Sequence, residues 1–378
     1  MERRLALYDV LVAGCGPVGA VLAARLAAHD LRVLVVDPRA EVFALPRAVA
    51  ADDEVQHLLD ATVPGLAASM LGDQRVRLVD ARRRTLGQVD FPRSASGYSG
   101  LAFFRQPVLE RTLRGHLAEL PGVDLRLGDA LEAWAQDSSG VSAVLRSGAR
   151  VRARWLVGCD GAASGVRQAA GIRWVGRDLA ARWLVVDADG EVPERPGFTY
   201  TCDPARPQVD MPLPGGHRWE WRLRAEEETL DPRALIARDT DPGRLTVSRA
   251  VVYTFAARRA HSWRAGRVLL AGDAAHTMPP FAGQGVGAGI RDSWLLAELL
   301  AQRPTDPRQL DAYQALRAPH VTAMTRLSLG LGLLICLEQP AAARARDRAL
   351  RTAFRTPGIG AWLRRGGPRP SSGLALPL

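Results

Sequence analysis

The chain has 378 residues, 47% of them hydrophobic, enough to bury a sizeable core in two domains or one large one. Lys+Arg number 50 against 40 Asp+Glu, for a formal net charge of +10, yet there is no lysine and no asparagine, so the basic excess is all arginine. These arginines are scattered, without a basic helix or aromatic-interleaved patch, which argues against nucleic-acid binding. Cys15, Cys159, Cys202 and Cys336 lie too far apart for a zinc site or a disulfide framework, and no metal is expected.

In chain order, "MERRLALYDVLVAG" runs straight into a strand and lacks the apolar stretch and cleavage site of a signal peptide, so a cytoplasmic location is expected. "YDVLVAGCGPVGAVLAARLAAHDLRVLVVD" (8–37) reads as strand, glycine turn, helix and second strand. Gly14, Gly16 and Gly19 fit G-x-G-x-x-G: a tight turn, a close approach for a pyrophosphate, and close helix–strand packing. Pro17 suits the first helical turn, whose free N–H groups aim at phosphates, and Asp37 lies where an acid accepts from ribose hydroxyls. The motif therefore predicts a bound dinucleotide. No second GxGxxG occurs, which leaves NAD(P) alone or FAD with a visiting nicotinamide.

"ADDE" (51–54) reads as a helix start with acids in its favourable first turn. "WLVGCDGAASGVRQAAGI" (155–172) is a strand ending at Asp160-Gly161 and a helix with Ser164 near its cap. Residues 181–260 read as alternating strands. In "HRWEWRL" (217–223), Trp219, Trp221 and Leu223 face one side, and Arg218, Glu220 and Arg222 the other. Two readings stand: a core face with solvated charges opposite, or an aromatic wall for a planar substrate, to which Trp183 and Met211 are also assigned.

"RVLLAGDAAHTMPP" (267–280) is a buried strand ending at Gly272-Asp273, where an acid can accept from a ribityl hydroxyl. His276, with no acid partner evident, reads as a structural contact. "GQGVGAGIRDSWLLAELL" (283–300) opens a helix behind glycines that cost about 0.5–1 kcal/mol each in a helix interior. Bare backbone there lets a flat ring lie against it, and the positive helix end suits the N1–C2=O edge of an isoalloxazine, which favours FAD. "LSLGLGLLICL" (327–337) is shorter than the roughly 20 residues of a membrane span and reads as a buried helix.

Together, GxGxxG, "CDGAASGVR" and "GDAAHTMPPFAGQG" resemble the class A flavoprotein aromatic hydroxylases of the p-hydroxybenzoate hydroxylase fold. "PRAVAADDE", "RQP", "WLVVD", "CDPARP" and "VYTFAAR" are similar to the 3-(3-hydroxyphenyl)propionate hydroxylase group, which usually continues into a thioredoxin-like domain that this length leaves no room for. The resemblance implies an α/β fold: a discontinuous Rossmann-like FAD-binding domain (1–75, 100–180, 262–325), an inserted antiparallel-sheet substrate domain (76–99, 181–261), and a helical C-terminal segment with a flexible tail (326–378). It implies that Gly14, Gly16, Pro17, Gly19 and Asp37 hold the ADP half of FAD, and that Arg47 and Gln106 contact the pyrophosphate and ribityl region. Asp160-Gly161 would serve the FAD site and nicotinamide approach, Gly272-Asp273 the ribityl chain. Pro279 would border the flavin near the substrate, and Gly283, Gly285, Val286 and Gly287 its pyrimidine edge; Pro279 and Gly285 are the positions nearest the chemistry. Gly287 and Ser293 stand where the family often has asparagine.

The implied reaction is hydroxylation of a phenolic ring with NAD(P)H and O2 through a flavin C4a-hydroperoxide, by a monomer or homodimer with no membrane span. A flavin-dependent epoxidase or double-bond reductase is the alternative. A halogenase is disfavoured, because Leu223-Arg224 replaces the Ile-Pro of that group's W-x-W-x-I-P and the active-site lysine is missing.

Overall fold

The computed structural model describes residues 7–42, 48–192, 197–227 and 230–367, together with 372 and 374. Its helices are α1 (Pro17–Ala27), α2 (Asp53–Thr62), α3 (Gln106–Glu119), α4 (Gly165–Ala169), α5 (Pro232–Ile236), α6 (Gly285–Ala301), α7 (Asp311–Ile335), α8 (Pro340–Arg355) and α9 (Ile359–Arg364).

The first layer is an eight-stranded sheet whose parallel part runs Val268–Leu270, Arg150–Gly158, Leu7–Ala13, Val33–Asp37, Val123–Leu127. Most of these strands are near-continuous apolar runs, as expected where helices cover both faces of a parallel sheet. Val33–Asp37, for instance, is buried throughout. Register fixes the useful geometry: Ala13 pairs with Gly158 and Val36, and Gly158 pairs with Leu270. Three strands distant in sequence thus end in one row and release their loops at the same edge.

The second layer is also eight-stranded, in the order His276–Thr277, Thr246–Ala260, Trp174–Asp189, Gly216–Arg222, Gln208–Leu213, Phe198–Cys202, Arg75–Asp80, Thr85–Asp90. All its pairings are antiparallel except Phe198–Cys202 with Arg75–Asp80. Its first edge strand, His276–Thr277, pairs with Arg258 and Arg259 only six residues after the last parallel strand ends. The third glycine segment therefore belongs to both layers.

Because side chains alternate across a strand, this sheet has two distinct faces. On the outer face Trp219 and Trp221 pack with Leu184, Val186, Leu235 and Ile236, beneath α5. On the inner face Trp183, Tyr200, Val209 and Met211 cluster with Phe281 and Ile335. The residues opposite the two tryptophans are not solvated, contrary to expectation: Arg218 is 1% exposed and Glu220 8%. Leu331, Leu334, Cys336, Leu350 and Phe354, from α7, α8 and their junction, cover this polar and aromatic face.

The apolar run expected to be buried forms the end of α7 but is buried on one side only. Ser328, Gly332 and Ile335 are enclosed, while Leu333 is 75% exposed. Among the described residues, no single helix is long and apolar enough to cross a membrane, and no group of three or more His, Cys, Asp or Glu is placed to hold a metal.

Candidate functional site

The glycine turn after Leu7–Ala13 is fixed by sterics. Gly14 has φ +105°, and a Cβ there would stand 2.5 Å from the Cys159 carbonyl oxygen. A Cβ on Gly19 would fall 2.0 Å from the Gly14 oxygen. Gly16, by contrast, has nothing within 4 Å of an added Cβ: it faces open space. It is also the N-cap of α1, with Pro17 in the first turn and no side chain capping the free amides. Asp37 ends the second strand, 6% exposed; its Oδ2 accepts from the Cys15 amide at 2.7 Å and its Oδ1 from the Arg39 amide at 2.8 Å. Burial pushes the Cys15 thiol up to about 12 and the Cys159 thiol well above its usual value, so neither behind the turn is a ready nucleophile.

The middle segment meets this turn through the Gly14–Cys159 contact. Asp160 is exposed, Gly161 has φ +81°, and the Asp160 Oδ2 accepts from the Val166 amide at 3.1 Å. Ser164 caps α4, accepting from the Arg167 amide at 2.9 Å. Sequence reasoning gave no role to Arg167, yet its guanidinium donates to the Ala162 oxygen at 2.9 Å and the Ala274 oxygen at 3.1 Å, joining the second loop to the third. Its position inside "CDGAASGVR" was the available signal.

The third segment packs just as closely. Gly272 has φ +61°, and a Cβ there would press on Val18 of α1 at 2.9 Å; one on Gly289 of α6 would meet Val18 at 2.5 Å. Asp273 is half-buried in the short turn that follows. His276, read as lacking an acid partner, has one: its Nε2 lies 2.6 Å from Asp292 Oδ2 on α6. Asp292 also accepts from Arg317 Nε at 2.8 Å and from the Gly272 amide at 3.2 Å. Burial alone would raise the Asp292 carboxyl, but His276 and Arg317 hold it down, at about 2. This buried node ties the Gly272 turn to α6 and α7. Sixteen residues separate its acid from its histidine, a spacing that announces no contact.

Pro279 is buried and its oxygen accepts from Ser328 Oγ of α7 at 2.6 Å, while Gly332 leaves room for Phe281, whose ring a Cβ would strike at 2.7 Å. Gly283 has φ +64°. Gly285, at the start of α6, again has nothing within 4 Å of an added Cβ, and no side chain caps this helix. Val286 is half-buried and Gly287 packs against Val55. Asp52 caps α2 and, with Glu54, holds Arg291 of α6, its Oδ2 also accepting from Gln284 at 3.1 Å. The "ADDE" acids thus start a helix, as read, and also anchor α6. Gln106 turns toward the backbone of Ala48 at 2.9 Å and toward Glu110 at 2.6 Å. Arg47 lies outside the described residues.

Of the four expected substrate-wall residues, the inner face carries two. The Trp183 ring lies 5.5 Å from that of Phe281 and 6.0 Å from that of Phe255, and Met211 shares its cluster. Trp219 and Trp221 stack on each other at 6.3 Å on the outer face, so the wall reading is corrected for both: they are core.

Three strand-end loops released at one sheet edge, the last running on into Phe281 against an aromatic sheet face, define a Rossmann-type dinucleotide-binding protein with an inserted antiparallel sheet. The chain belongs to the family described as "FAD binding domain", which matches residues 7–328. It is 35% identical over 364 residues to the 3-(3-hydroxy-phenyl)propionate/3-hydroxycinnamic acid hydroxylase of Mycobacterium sp. (strain KMS), covering 92% of this chain and 63% of that relative's length. It is also 35% identical to a probable NADH-specific resorcinol 4-hydroxylase of Rhodococcus jostii (strain RHA1), covering 90% of this chain and 68% of that one. Among solved structures, p-nitrophenol 4-monooxygenase from Pseudomonas putida DLL-E4 shares the fold, with a TM-score of 0.83 at 22% identity over 97% of this chain and 100% of that one. The cradle fits FAD: Gly16 and Gly285 open onto free space at uncapped helix starts, and Gly14, Gly19, Gly272 and Gly289, where no Cβ fits, let the surrounding backbone pack close.

Proposed function

We propose that this protein is a single-component, FAD-dependent monooxygenase that hydroxylates a phenolic or otherwise electron-rich aromatic ring, consuming NAD(P)H and O2 and releasing water. The observation that carries the reading is the meeting of the Gly14–Gly16, Asp160–Gly161 and Gly272–Asp273 loops at one sheet edge, the last of them running on into Phe281, which packs against Trp183 and Phe255. Similarity to two aromatic hydroxylases supports it.

When bound, FAD supplies the oxygen activation and the electron transfer. The chain's residues supply position. Gly14, Gly16, Pro17, Gly19 and Asp37 would receive the ADP half, and we assign Arg47 and Gln106 to the pyrophosphate and ribityl region. Asp160-Gly161 would serve the FAD site and the nicotinamide approach, Gly272-Asp273 would hold the ribityl chain, and Pro279 would border the flavin near the substrate. Gly283, Gly285, Val286 and Gly287 offer bare backbone and the positive end of α6 to an anionic ring edge. Trp183 and Met211 line the substrate wall and keep it dry. We assign 1–75, 100–180 and 262–325 to the FAD-binding unit, 76–99 and 181–261 to the substrate sheet, and 326–378 to a C-terminal segment whose described part is largely helical.

The test is to purify the protein, measure its flavin absorbance, and screen phenols for stimulated NAD(P)H consumption with matching O2 uptake. A protein that stays colourless after FAD is added would overturn the reading. NAD(P)H consumption without O2 uptake would point instead to a double-bond reductase on this scaffold.

A further inference from the structure

Glu220 sits at the centre of the inner sheet face, and no described residue donates a hydrogen bond to its carboxylate. It pairs across the sheet with Val185 and Val209. Two residues along its strand in either direction, Arg222 pairs with Trp183 and Arg218 with Met211, so the Glu220 side chain emerges between the two wall residues and on their face. It is 8% exposed. Burial pushes its carboxyl above the usual range and Asp187 adds to this, while Arg218 and Arg249 oppose; no hydrogen bond from a described residue contributes. A buried carboxylate left this way is costly, since desolvation is offset only when donors are present.

The nearby cations are committed elsewhere. Arg218 grips Asp187 with two bonds, at 2.6 and 2.8 Å, and Arg249 reaches the same carboxylate at 3.2 Å and Tyr253 Oη at 2.5 Å. Arg222 pairs with Glu338 and donates to the Cys336 oxygen at 3.3 Å. With Glu220 ionised, a ligand carboxylate on this wall would meet a like charge in a poorly solvated space, where repulsion is weakly screened. A ligand hydroxyl would supply the missing donor.

Resting on the hydroxylase reading, we propose that Glu220 determines specificity: it accepts a hydrogen bond from a hydroxyl on the aromatic substrate, so the enzyme takes neutral, hydroxyl-bearing aromatics and rejects those carrying a carboxylate. This narrows the substrate class toward di- and polyhydroxylated rings or aromatic alcohols.

The test uses the FAD-loaded protein and a matched pair of probes, 3-(3-hydroxyphenyl)propionate and the corresponding alcohol, with resorcinol as a third. Binding is read from the perturbation of the flavin spectrum, so turnover is not needed. The native protein should bind the alcohol at least about tenfold more tightly than the acid, a difference of about 1.4 kcal/mol. Glu220→Gln should shrink that ratio toward one, chiefly by improving acid binding, with flavin content unchanged. A merely structural role would alter melting temperature but leave the ratio alone, and an unchanged ratio overturns the proposal. Should the variant not fold, the native protein still decides, because acid binding as tight as alcohol binding is equally fatal. If no phenol perturbs a firmly bound flavin, the hydroxylase reading itself fails.

Discussion

Trp221 is a large, fully enclosed side chain on the outer face of the antiparallel sheet, stacked on Trp219 and packed with Leu235 and Ile236. Trp221→Ala should cost about 3–5 kcal/mol of stability, the range for deleting a buried aromatic, and leave the apparent substrate constant of the surviving enzyme unchanged. A shifted substrate constant without loss in urea midpoint would return it to the pocket. Asp292 gives a pH-dependent prediction. Its carboxyl is held at about 2 against an ordinary 3.8, so its contribution to stability is complete above pH 4 and is lost as pH falls toward 2. At 1.36 kcal/mol per pKa unit, that contribution is about 2 kcal/mol. The difference in urea midpoint between native protein and Asp292→Asn should therefore narrow as the medium is acidified over that interval, and a constant gap would refute the linkage. At this scale the sequence was half legible. Alternation in "HRWEWRL" separates the two faces correctly, since period two is local. Which face looks toward the loops depends on pairing with Trp174–Asp189 and on cover from α5, and neither is written in the heptapeptide. The same blindness hid the burial of Glu220 and the bond between His276 and Asp292.

At the scale of elements, the two helix starts share one device with two different glycine duties. Gly19 has backbone where a side chain would go, whereas Gly16 has empty space. Gly19→Ala should impair folding, because the contact cannot be relieved without moving the Gly14 turn. Gly16→Val should fold with a near-native melting temperature and lose bound FAD. Comparing flavin content with thermal midpoint for the two variants checks both duties, and equal behaviour would dissolve the distinction. These positions were readable from sequence because glycine spacing reports a steric requirement directly. The anchoring of α6 was not: Arg291 reaches Asp52 and Glu54 on α2, over two hundred residues earlier in the chain. The support of the Pro279 oxygen by Ser328 was missed for the same reason, the serine lying within a run that reads only as apolar.

For the whole molecule, binding of FAD to the native state alone should stabilise the fold by about 2.7 kcal/mol at a hundredfold excess over the dissociation constant, and so raise the thermal midpoint with ligand concentration. A calorimetric scan with and without added FAD would show it, and an unmoved midpoint would deny a folded-state site. The opening strand–helix–strand unit and the later run of alternating strands were legible as patterns, whereas their assembly into a discontinuous domain with an inserted sheet was what the family resemblance implied. The edge strand His276–Thr277 was not, being too short to carry a pattern. That small stitch has a mechanical result. Since one continuous stretch closes the nucleotide-binding layer and hems the aromatic layer, neither can swing open at that seam without tearing its neighbour. Traffic to the interior must pass elsewhere, and heat should dismantle both layers in a single cooperative event.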